Sequence, residues 1–205
     1  MNSKQIRNGI EHLKKNDDVL MKIISNSKQI KLEKHSDIFS DILKSIVQQQ
    51  LSVAAAGAIY EKVKTFFENN LSPEKILSTT HEELRSLGLS NAKAKYIKDL
   101  AEKTLSKEIS FDDLEKKTDD EIISELTKVK GVGVWTAQMI LIFSLARLDV
   151  LPVGDLGIKK AVMMNYNLKE LPDEKRVAKI SKKNNWAPYN SIASIYLWKS
   201  LGSKE

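Results

Sequence analysis

The sequence of 205 residues contains no cysteine, and this absence excludes several kinds of chemistry. Without a thiol, the protein cannot form a disulfide, use a thiolate nucleophile, or hold zinc or an iron–sulfur cluster through cysteine. Glycine and proline are also scarce, with 8 and 4 residues, which leaves little material for a β-sandwich, a barrel or a disordered linker. We therefore expect a helical protein.

Long hydrophobic runs are lacking as well. The N-terminal stretch MNSKQIRNGIEHLKK has no apolar core of a signal peptide, and the most apolar run, residues 139–146, is interrupted by Ser144 and too short to cross a bilayer. These features predict a soluble intracellular protein without a membrane partner, in the cytoplasm or, in a eukaryote, in the nucleus. A net charge of +6 permits a polyanionic partner such as nucleic acid but does not identify one.

Helical periodicity is clear from residue 38 onward. Apolar residues recur at three- and four-residue steps over residues 38–67, with an interruption at the QQQLS segment, residues 48–52. Shorter helices, each bounded by Gly, Ser, Thr or Asn, are predicted at residues 73–78, 82–87 and 92–105. No stretch alternates as a strand would, so the sequence predicts an all-α chain without the repeats of a solenoid.

A second helical region begins with TDDEIISELTKV, where Thr118 is a good N-cap and Glu121 completes a capping box. This helix is predicted to end at Lys130, and the turn GVG then leads directly into another helix over residues 134–147. Two more helices follow, one beginning at Asp155 and one spanning residues 189–201. The central part of this region is therefore a helix-hairpin-helix unit.

The glycines of the GVG turn, Gly131 and Gly133, fit two different purposes. Glycine allows positive φ and leaves no Cβ in the way, so backbone N–H groups of the turn and of the next helix could all point at one phosphate. A glycine C-cap between two packed helices would produce the same letters. The turn by itself therefore leaves a phosphate site and a purely structural turn equally open.

Five segments, which cover most of the chain after residue 35, favour the first interpretation. They are FSDILKSIVQQQLSVAAAGAIYEKV, LRSLGLSNAKAKYIKDLA, LTKVKGVGVWTAQMILIF, VLPVGDLGIKKAV and WAPYNSIASIYLW. In content and order they resemble the helix-hairpin-helix (HhH-GPD) superfamily of DNA glycosylases, in particular the 3-methyladenine glycosylases of the AlkA and yeast Mag type. The conjunction is far more specific than the GVG turn alone.

This resemblance implies an all-α fold with two helical subdomains that flank a cleft, and a helix-hairpin-helix motif at about residues 118–147. Residues 1–205 would form a single glycosylase domain, in which the N- and C-terminal helices complete one subdomain and residues from about 50 to 150 form the other. The additional N-terminal β-rich domain of AlkA is not expected, because only about 35 residues precede the similarity, too few for such a domain.

In this superfamily an essential aspartate follows the hairpin, and Asp155 in LPVGDLGI stands at that position. The resemblance implies that its carboxylate stabilises the positive charge that develops on the sugar as the bond to the base breaks, and that it polarises the attacking water. Asp155 can at the same time be the N-cap of the next helix. Members that also cut the DNA backbone carry a lysine where this chain has Trp135, so the sequence predicts a monofunctional glycosylase.

The substrates implied by the resemblance are alkylated purines such as 3-methyladenine in duplex DNA, flipped out of the stack before the reaction. Such bases are cationic and attract aromatic faces. Trp135 and Trp198 match the pocket aromatics of the family, whereas Met139 stands where the AlkA branch has a tyrosine. That departure leaves other lesions open, namely hypoxanthine, ethenoadenine and oxidised guanine, and a non-catalytic DNA-binding module is the remaining alternative.

The residues implied to contact DNA fall into three groups. The minor-groove wedge would come from Gln49, Gln50 and Leu51. The phosphate donors would be the backbone amides of Gly131, Gly133 and Thr136. A second phosphate contact matches Lys93 and Lys95, although lysines at this spacing are equally compatible with a solvated surface.

One metal site is implied at the hairpin. The backbone carbonyls of Thr127, Val129 and Val132 match those that hold a monovalent cation, Na⁺ or K⁺, in related hairpins, where the ion would neutralise converging carbonyl dipoles beside the phosphate. No other cofactor is expected, and the absence of cysteine distinguishes the chain from the endonuclease III and MutY branches, which carry an iron–sulfur cluster. We expect a monomer that acts on double-stranded DNA containing damaged bases.

Overall fold

The structure is a computed structural model that describes residues 3–202, and every regular element within this range is helical. The predicted all-α fold is therefore confirmed. The helices, in chain order, are α1 (Ser3–Asn16), α2 (Asp18–Ser25), α3 (Ile38–Gln48), α4 (Val53–Phe66), α5 (Pro73–Ser78), α6 (His81–Ser86), α7 (Asn91–Leu105), α8 (Asp119–Leu126), α9 (Val134–Met139), a π-helix (Ile140–Ser144), α10 (Leu156–Asn165), α11 (Glu174–Lys183) and α12 (Asn190–Gly202).

The chain divides into two compact units. The terminal unit consists of the described residues up to Lys34 together with those from Leu141 onward, and the central unit is His35–Ile140. The hairpin turn therefore belongs to the central unit, whereas Asp155 belongs to the terminal unit.

The central unit is organised around α7, which packs against α3, α5 and α6. Helices α8 and α9 pack against each other on either side of the hairpin turn. The apolar side chains of α3 that recur at three- and four-residue steps are fully buried, and they include Ile42, Leu43, Ile46 and Val47. This buried face fixes the end of α3, from which the QQQLS segment continues.

The terminal unit is centred on α12, which packs against α1, α2 and α10. Residues 190–197 are all buried, so α12 has no solvent-exposed face over that stretch. Trp186, which precedes α12, is also fully buried. The packing of α12 against α10 matters for the site, because Trp198 lies on α12 and Asp155 is the N-cap of α10.

The QQQLS segment forms the turn between α3 and α4, as predicted. Helix α3 ends at Gln48, and Ser52 is the N-cap of α4, where its hydroxyl accepts the Ala55 N–H at 3.3 Å. Between them, Gln50 adopts a positive φ of 56°. The predicted interruption of the long apolar pattern is confirmed, and its cause is a capped helix start that follows a left-handed residue.

The prediction for the helices of the hairpin was wrong in two respects. Helix α8 ends at Leu126 and not at Lys130, because the N–H groups of Lys128 and Val129 donate to carbonyls three residues back instead of four. The Lys130 N–H donates to the Asp99 carboxylate on α7. Helix α9 ends at Met139, and a π-helix replaces the predicted continuation to Arg147. The π-helical sequence ILIFS is almost entirely apolar, so it carries no period from which the helix type could be read.

N-terminal helices were implied by the resemblance, but the bounds of α1, α2 and α11 were not predicted. For α1 the signal was present, since Ile6, Ile10 and Leu13 follow one another at steps of four and three, and the structure buries all three. Helix α2 has a similarly local cause, because the carboxylate of its N-cap, Asp17, accepts the amides of Val19 and Leu20.

Candidate functional site

The hairpin turn joins α8 to α9 through two glycines with different backbone conformations. Gly131 has a φ of 82°, in the left-handed region that favours glycine, whereas Gly133 is extended and is the N-cap of α9. The Val132 amide donates to the Val129 carbonyl at 3.0 Å, and both valine side chains are buried. Positive φ thus explains only the first of the two glycines.

The surroundings of the two glycines differ as well. A Cβ on Gly131 would lie 2.2 Å from Cδ2 of Tyr96, so the aromatic ring packs directly on the turn. A Cβ on Gly133 would meet no atom of the described residues within 4 Å. Packing inside the central unit therefore requires glycine at position 131. At position 133 a Cβ would lie in open space, so packing among the described residues does not require glycine there.

A carboxylate on α7 fixes the position of the turn. Asp99 Oδ2 accepts the Lys130 N–H at 2.8 Å, and Asp99 Oδ1 lies 3.1 Å from the Lys130 ammonium. The aspartate is buried, whereas the lysine side chain is exposed. Sequence analysis missed Asp99, although one acidic residue between the apolar Ile97 and Leu100 of a helix was a usable signal.

The predicted wedge residues point in different directions. Gln49 is engaged with the hairpin, because its Nε2 donates to the Gly131 carbonyl at 2.7 Å. Gln50, the residue with positive φ, is exposed, and Leu51 is 39% exposed. The structure therefore presents Gln50 and Leu51 at the surface and uses Gln49 to connect the segment to the turn.

The two candidate phosphate lysines, both on α7, have different environments. The Lys93 ammonium donates to the carbonyls of Val47 and Gln49, at 2.8 and 2.6 Å. Partial burial lowers the pKa of this lysine from its ordinary value. Lys95, two residues further along the helix, is exposed. The ammonium of Lys93 thus has partners inside the protein that were not predicted from the sequence.

Several of these residues line one cavity of the central unit, with a volume of about 570 Å³. Its walls include the predicted site residues Gln49, Gln50, Lys93, Gly131 and Trp135. Trp135 lies in the first turn of α9 and is 48% exposed. A large aromatic side chain with that much exposure next to a cavity is typical of a binding surface rather than of a core.

The predicted catalytic residue, Asp155, is the N-cap of α10. Its Oδ1 accepts the Ile158 N–H at 2.7 Å and the Trp198 indole N–H at 2.8 Å. These two donors fix the plane of a partly buried carboxylate, and the positive end of the helix dipole favours its negative charge. The capping role is therefore present in the structure, and it is compatible with a catalytic one.

Trp198 contacts both the Asp155 carboxylate and a second aromatic ring. Its indole donates to Asp155, and its ring lies 5.9 Å from that of Phe143, between ring centroids. Gly157 makes room for the indole, since a Cβ there would lie 3.0 Å from Trp198 Cδ1. Phe143, on the π-helix, is 43% exposed and was missed by the sequence analysis. A π-helix often marks a functional site.

The predicted site residues thus form one group in each unit. Trp135 and the QQQLS segment belong to the central unit. In the same unit, Met139 at the end of α9 is partly buried, and the Thr136 side chain is buried. Asp155 and Trp198 belong to the terminal unit. The two tryptophans predicted to line one pocket therefore come from different units.

Two properties concern the described residues as a whole. In the part of the chain that the structure describes, every helix is too short or too polar to span a bilayer. Within residues 3–202, no three His, Asp or Glu side chains come together as a metal site. Backbone carbonyls are therefore the remaining candidate ligands for a cation.

The chain is similar to known DNA repair proteins. The family model described as HhH-GPD superfamily base excision DNA repair protein matches residues 43–186. DNA-3-methyladenine glycosylase 1 of Schizosaccharomyces pombe is 33% identical over 184 residues, which are 88% of this chain and 80% of that protein. The solved structure of the 3-methyladenine DNA glycosylase from the same yeast, in complex with abasic DNA, matches with a TM-score of 0.85 and 30% identity over 96% of this chain and 98% of the other. A DNA-3-methyladenine glycosidase from Bacillus halodurans matches with a TM-score of 0.83 and 36% identity over 95% and 89% of the two chains.

Proposed function

Since the chain belongs to the HhH-GPD superfamily of base excision DNA repair proteins, we propose that it is a monofunctional DNA glycosylase for alkylated purines such as 3-methyladenine. The single observation that carries this proposal is the carboxylate of Asp155, oriented by the Ile158 amide and the Trp198 indole at the start of α10. DNA is the partner of the family. Damaged bases in duplex DNA as the target, and a monomeric state, are part of the proposal.

The chemistry requires an anion near the sugar and a water molecule. As the N-glycosidic bond breaks, positive charge develops at the anomeric carbon, and the Asp155 carboxylate stabilises it electrostatically. The same carboxylate polarises the water that attacks this carbon. An alkylated purine carries a positive charge and leaves as a neutral base, so the reaction does not depend on a strong acid in the protein.

The absence of strand cleavage follows from the residue at the position of the lyase lysine. A lyase needs an unprotonated lysine that attacks the sugar and forms a Schiff base, and this chain has Trp135 at the matching position. The Lys130 ammonium lies 3.1 Å from Asp99, and that of Lys159 lies 3.8 Å from Glu174. Both amines are thus paired with carboxylates of the protein.

For DNA binding we propose that the hairpin amides of Gly131, Gly133 and Thr136 bind one phosphate and that Lys95 contacts another. Gln50 and Leu51 fill the space left by the flipped nucleotide, and Trp135 provides an aromatic wall for the cationic base, with Met139 beside it on α9. The surface exposure of Gln50, Leu51 and Trp135 supports these roles.

A monovalent cation, Na⁺ or K⁺, at the hairpin is a further part of the proposal. Backbone carbonyl oxygens are hard ligands that suit such an ion. The Val129 carbonyl accepts the Val132 amide at 3.0 Å and retains a second lone pair, and Thr127 and Val132 would supply the other carbonyls. The bound ion would neutralise the carbonyl dipoles next to the phosphate.

A panel of duplexes tests the proposed function. Each duplex carries a single 3-methyladenine, 7-methylguanine, hypoxanthine, ethenoadenine or 8-oxoguanine, and the free base is measured by chromatography. We expect release of 3-methyladenine, with the DNA strand intact until alkali is added. Release of another lesion alone would change the substrate class, whereas binding without any base release would indicate a non-catalytic DNA-binding module.

The two glycines of the turn allow a matched prediction for DNA binding. Gly131→Ala is expected to destabilise the protein by about 2–4 kcal/mol, because alanine disfavours positive φ and its Cβ would clash with Tyr96. Gly133→Ala is expected to lower the melting temperature by no more than about 4 °C, since alanine is a poorer N-cap than glycine, and to weaken DNA binding on the order of tenfold, because its methyl group would hinder the phosphate. Thermal unfolding and fluorescence anisotropy measure the two effects. Unchanged DNA affinity for Gly133→Ala would exclude the hairpin as a phosphate site.

A further inference from the structure

The Lys93 ammonium connects two helices that are distant in sequence. Lys93 lies in the first turn of α7, and its Nζ donates to the carbonyls of Val47, in the last turn of α3, and Gln49, the C-cap of that helix. The last carbonyls of a helix have no partner within the helix and form the negative end of its dipole. A cation at this place therefore stabilises the end of α3 and fixes the carbonyl from which the QQQLS segment departs.

A second contact holds Gln49 through its side chain. Gln49 Nε2 donates to the Gly131 carbonyl at 2.7 Å, so the segment is connected to the hairpin turn as well as to α7. Gln49 is thus bound through both its carbonyl and its amide group. These two connections leave little freedom for the start of the segment.

The next residue shows that the segment is held in a specific conformation. Gln50 has a φ of 56°, which residues other than glycine rarely adopt and which persists only where the surroundings impose it. Its own side chain is exposed, as is that of Leu51. The Leu51 N–H donates across Gln50 to the Gln48 carbonyl at 3.4 Å. The preceding residue, Gln49, holds the start of the segment through its bonds to α7 and to the hairpin turn.

We infer that Lys93 is a positioning residue for the wedge, which holds Gln50 and Leu51 in the conformation that enters the DNA. This inference rests on the proposed function, because it assigns a task to one part of the same DNA-binding surface. It also differs from the phosphate contact implied by the resemblance for Lys93, since two of the three donors of the ammonium are used inside the protein. Lys95 keeps the role of a phosphate contact.

The experiment compares Lys93→Met with Lys95→Met in the full chain. The probe is a duplex with a tetrahydrofuran abasic analogue opposite 2-aminopurine, whose fluorescence rises when the bases around it are unstacked. A phosphate contact contributes about 0.9 to the slope of the logarithm of affinity against the logarithm of salt concentration. For Lys93→Met we expect an unchanged salt slope, a fluorescence change at saturating protein that is reduced several-fold, and a single-turnover rate reduced on the order of tenfold or more. For Lys95→Met we expect a reduced salt slope and a full fluorescence change at saturation.

Two further variants keep the test decisive. Lys93→Arg retains a cation that can donate to the same carbonyls and is expected to restore most of the fluorescence change. Gln49→Met removes the bond to Gly131 while Lys93 remains, and it is expected to reduce the fluorescence change at saturation. If Lys93→Met does not fold, Lys93→Gln, which removes the charge and shortens the side chain, replaces it with the same expected results. A full fluorescence change in the Lys93 variant that folds would overturn the inference, and a salt slope reduced by about one in that variant would show a phosphate contact instead.

The readouts separate this inference from the proposed function. Salt dependence and 2-aminopurine fluorescence on an abasic analogue require no base release. A wild-type protein that unstacks the probe but releases no base would contradict the proposed function and leave the positioning role of Lys93 intact. Normal base release by the wild-type protein, together with a full fluorescence change in Lys93→Met, would support the proposed function and overturn the positioning role of Lys93.

Discussion

Replacing Asp155 by asparagine is expected to lower the single-turnover rate of 3-methyladenine release by a factor of about 10²–10³, with DNA affinity changed by no more than about threefold. The reason is that the negative charge acts on the transition state, in which the sugar is positively charged, and contributes little to binding of the ground state. Quench-flow or manual sampling under enzyme excess measures the rate, and anisotropy measures the affinity.

The geometry of the site makes asparagine an informative replacement. Its Oδ1 can still accept the Ile158 N–H and the Trp198 indole N–H, so the cap of α10 and the orientation of the side chain are retained. The matched control is Asp173→Asn, because Asp173 is also an N-cap of the terminal unit and accepts the Arg176 N–H at 2.7 Å. The control is expected to release base at the wild-type rate. Equal losses in both variants would mean that Asp155 acts only as a cap.

Local signals explain the elements that could be predicted from the sequence. The Thr118 hydroxyl and the Glu121 carboxylate form the predicted capping box, and Pro73 opens a helix whose bounds, Pro73–Ser78, match the prediction. In both cases a residue and its partner lie within one helical turn, so neighbouring letters carry the information. The N-cap role of Asp155 is of the same kind.

Contacts between residues that are distant in sequence explain what could not be predicted. Trp198 and Asp155 are separated by 43 residues, and Lys93 and Val47 by 46, so their hydrogen bonds exist only because particular helices pack together. The same holds for Asp99 on α7, which accepts the Lys130 N–H. For Trp198, the resemblance to the family implied a pocket wall, whereas the indole N–H, which no pattern reveals, adds the contact with the carboxylate.

Asp17, a buried carboxylate of the terminal unit, also makes contacts with residues that are distant in sequence, and these contacts stabilise the fold. Asp17 is 4% exposed, and its Oδ1 accepts the amides of Val19 and Leu20 at 2.9 and 3.0 Å. Its Oδ2 accepts the Tyr166 hydroxyl at 2.5 Å and the Trp186 indole N–H at 2.7 Å. Burial, and then the bond to Asp17, raise the pKa of the Tyr166 phenol, which therefore stays a donor. Asp17 thus connects the start of α2 to Tyr166, the C-cap of α10, whose opposite end carries Asp155.

Asp17→Asn is therefore expected to destabilise the protein by about 3 kcal/mol, which corresponds to a fall in melting temperature of about 6–12 °C for a chain of this size. An asparagine side chain has one oxygen, so whichever way the amide is oriented, its NH₂ group faces two donors, and either the cap of α2 or the pair formed by Tyr166 and Trp186 loses its acceptor. Urea unfolding followed by circular dichroism measures the difference, with the exposed neighbour Asp18→Asn as control, for which a change within about 0.5 kcal/mol is expected. Equal stability of the two variants would show that the four hydrogen bonds of Asp17 contribute nothing to folding. Because Asp17 does not touch the reacting atoms, the variant is expected to release base normally at temperatures well below its transition, which separates this effect from that of Asp155.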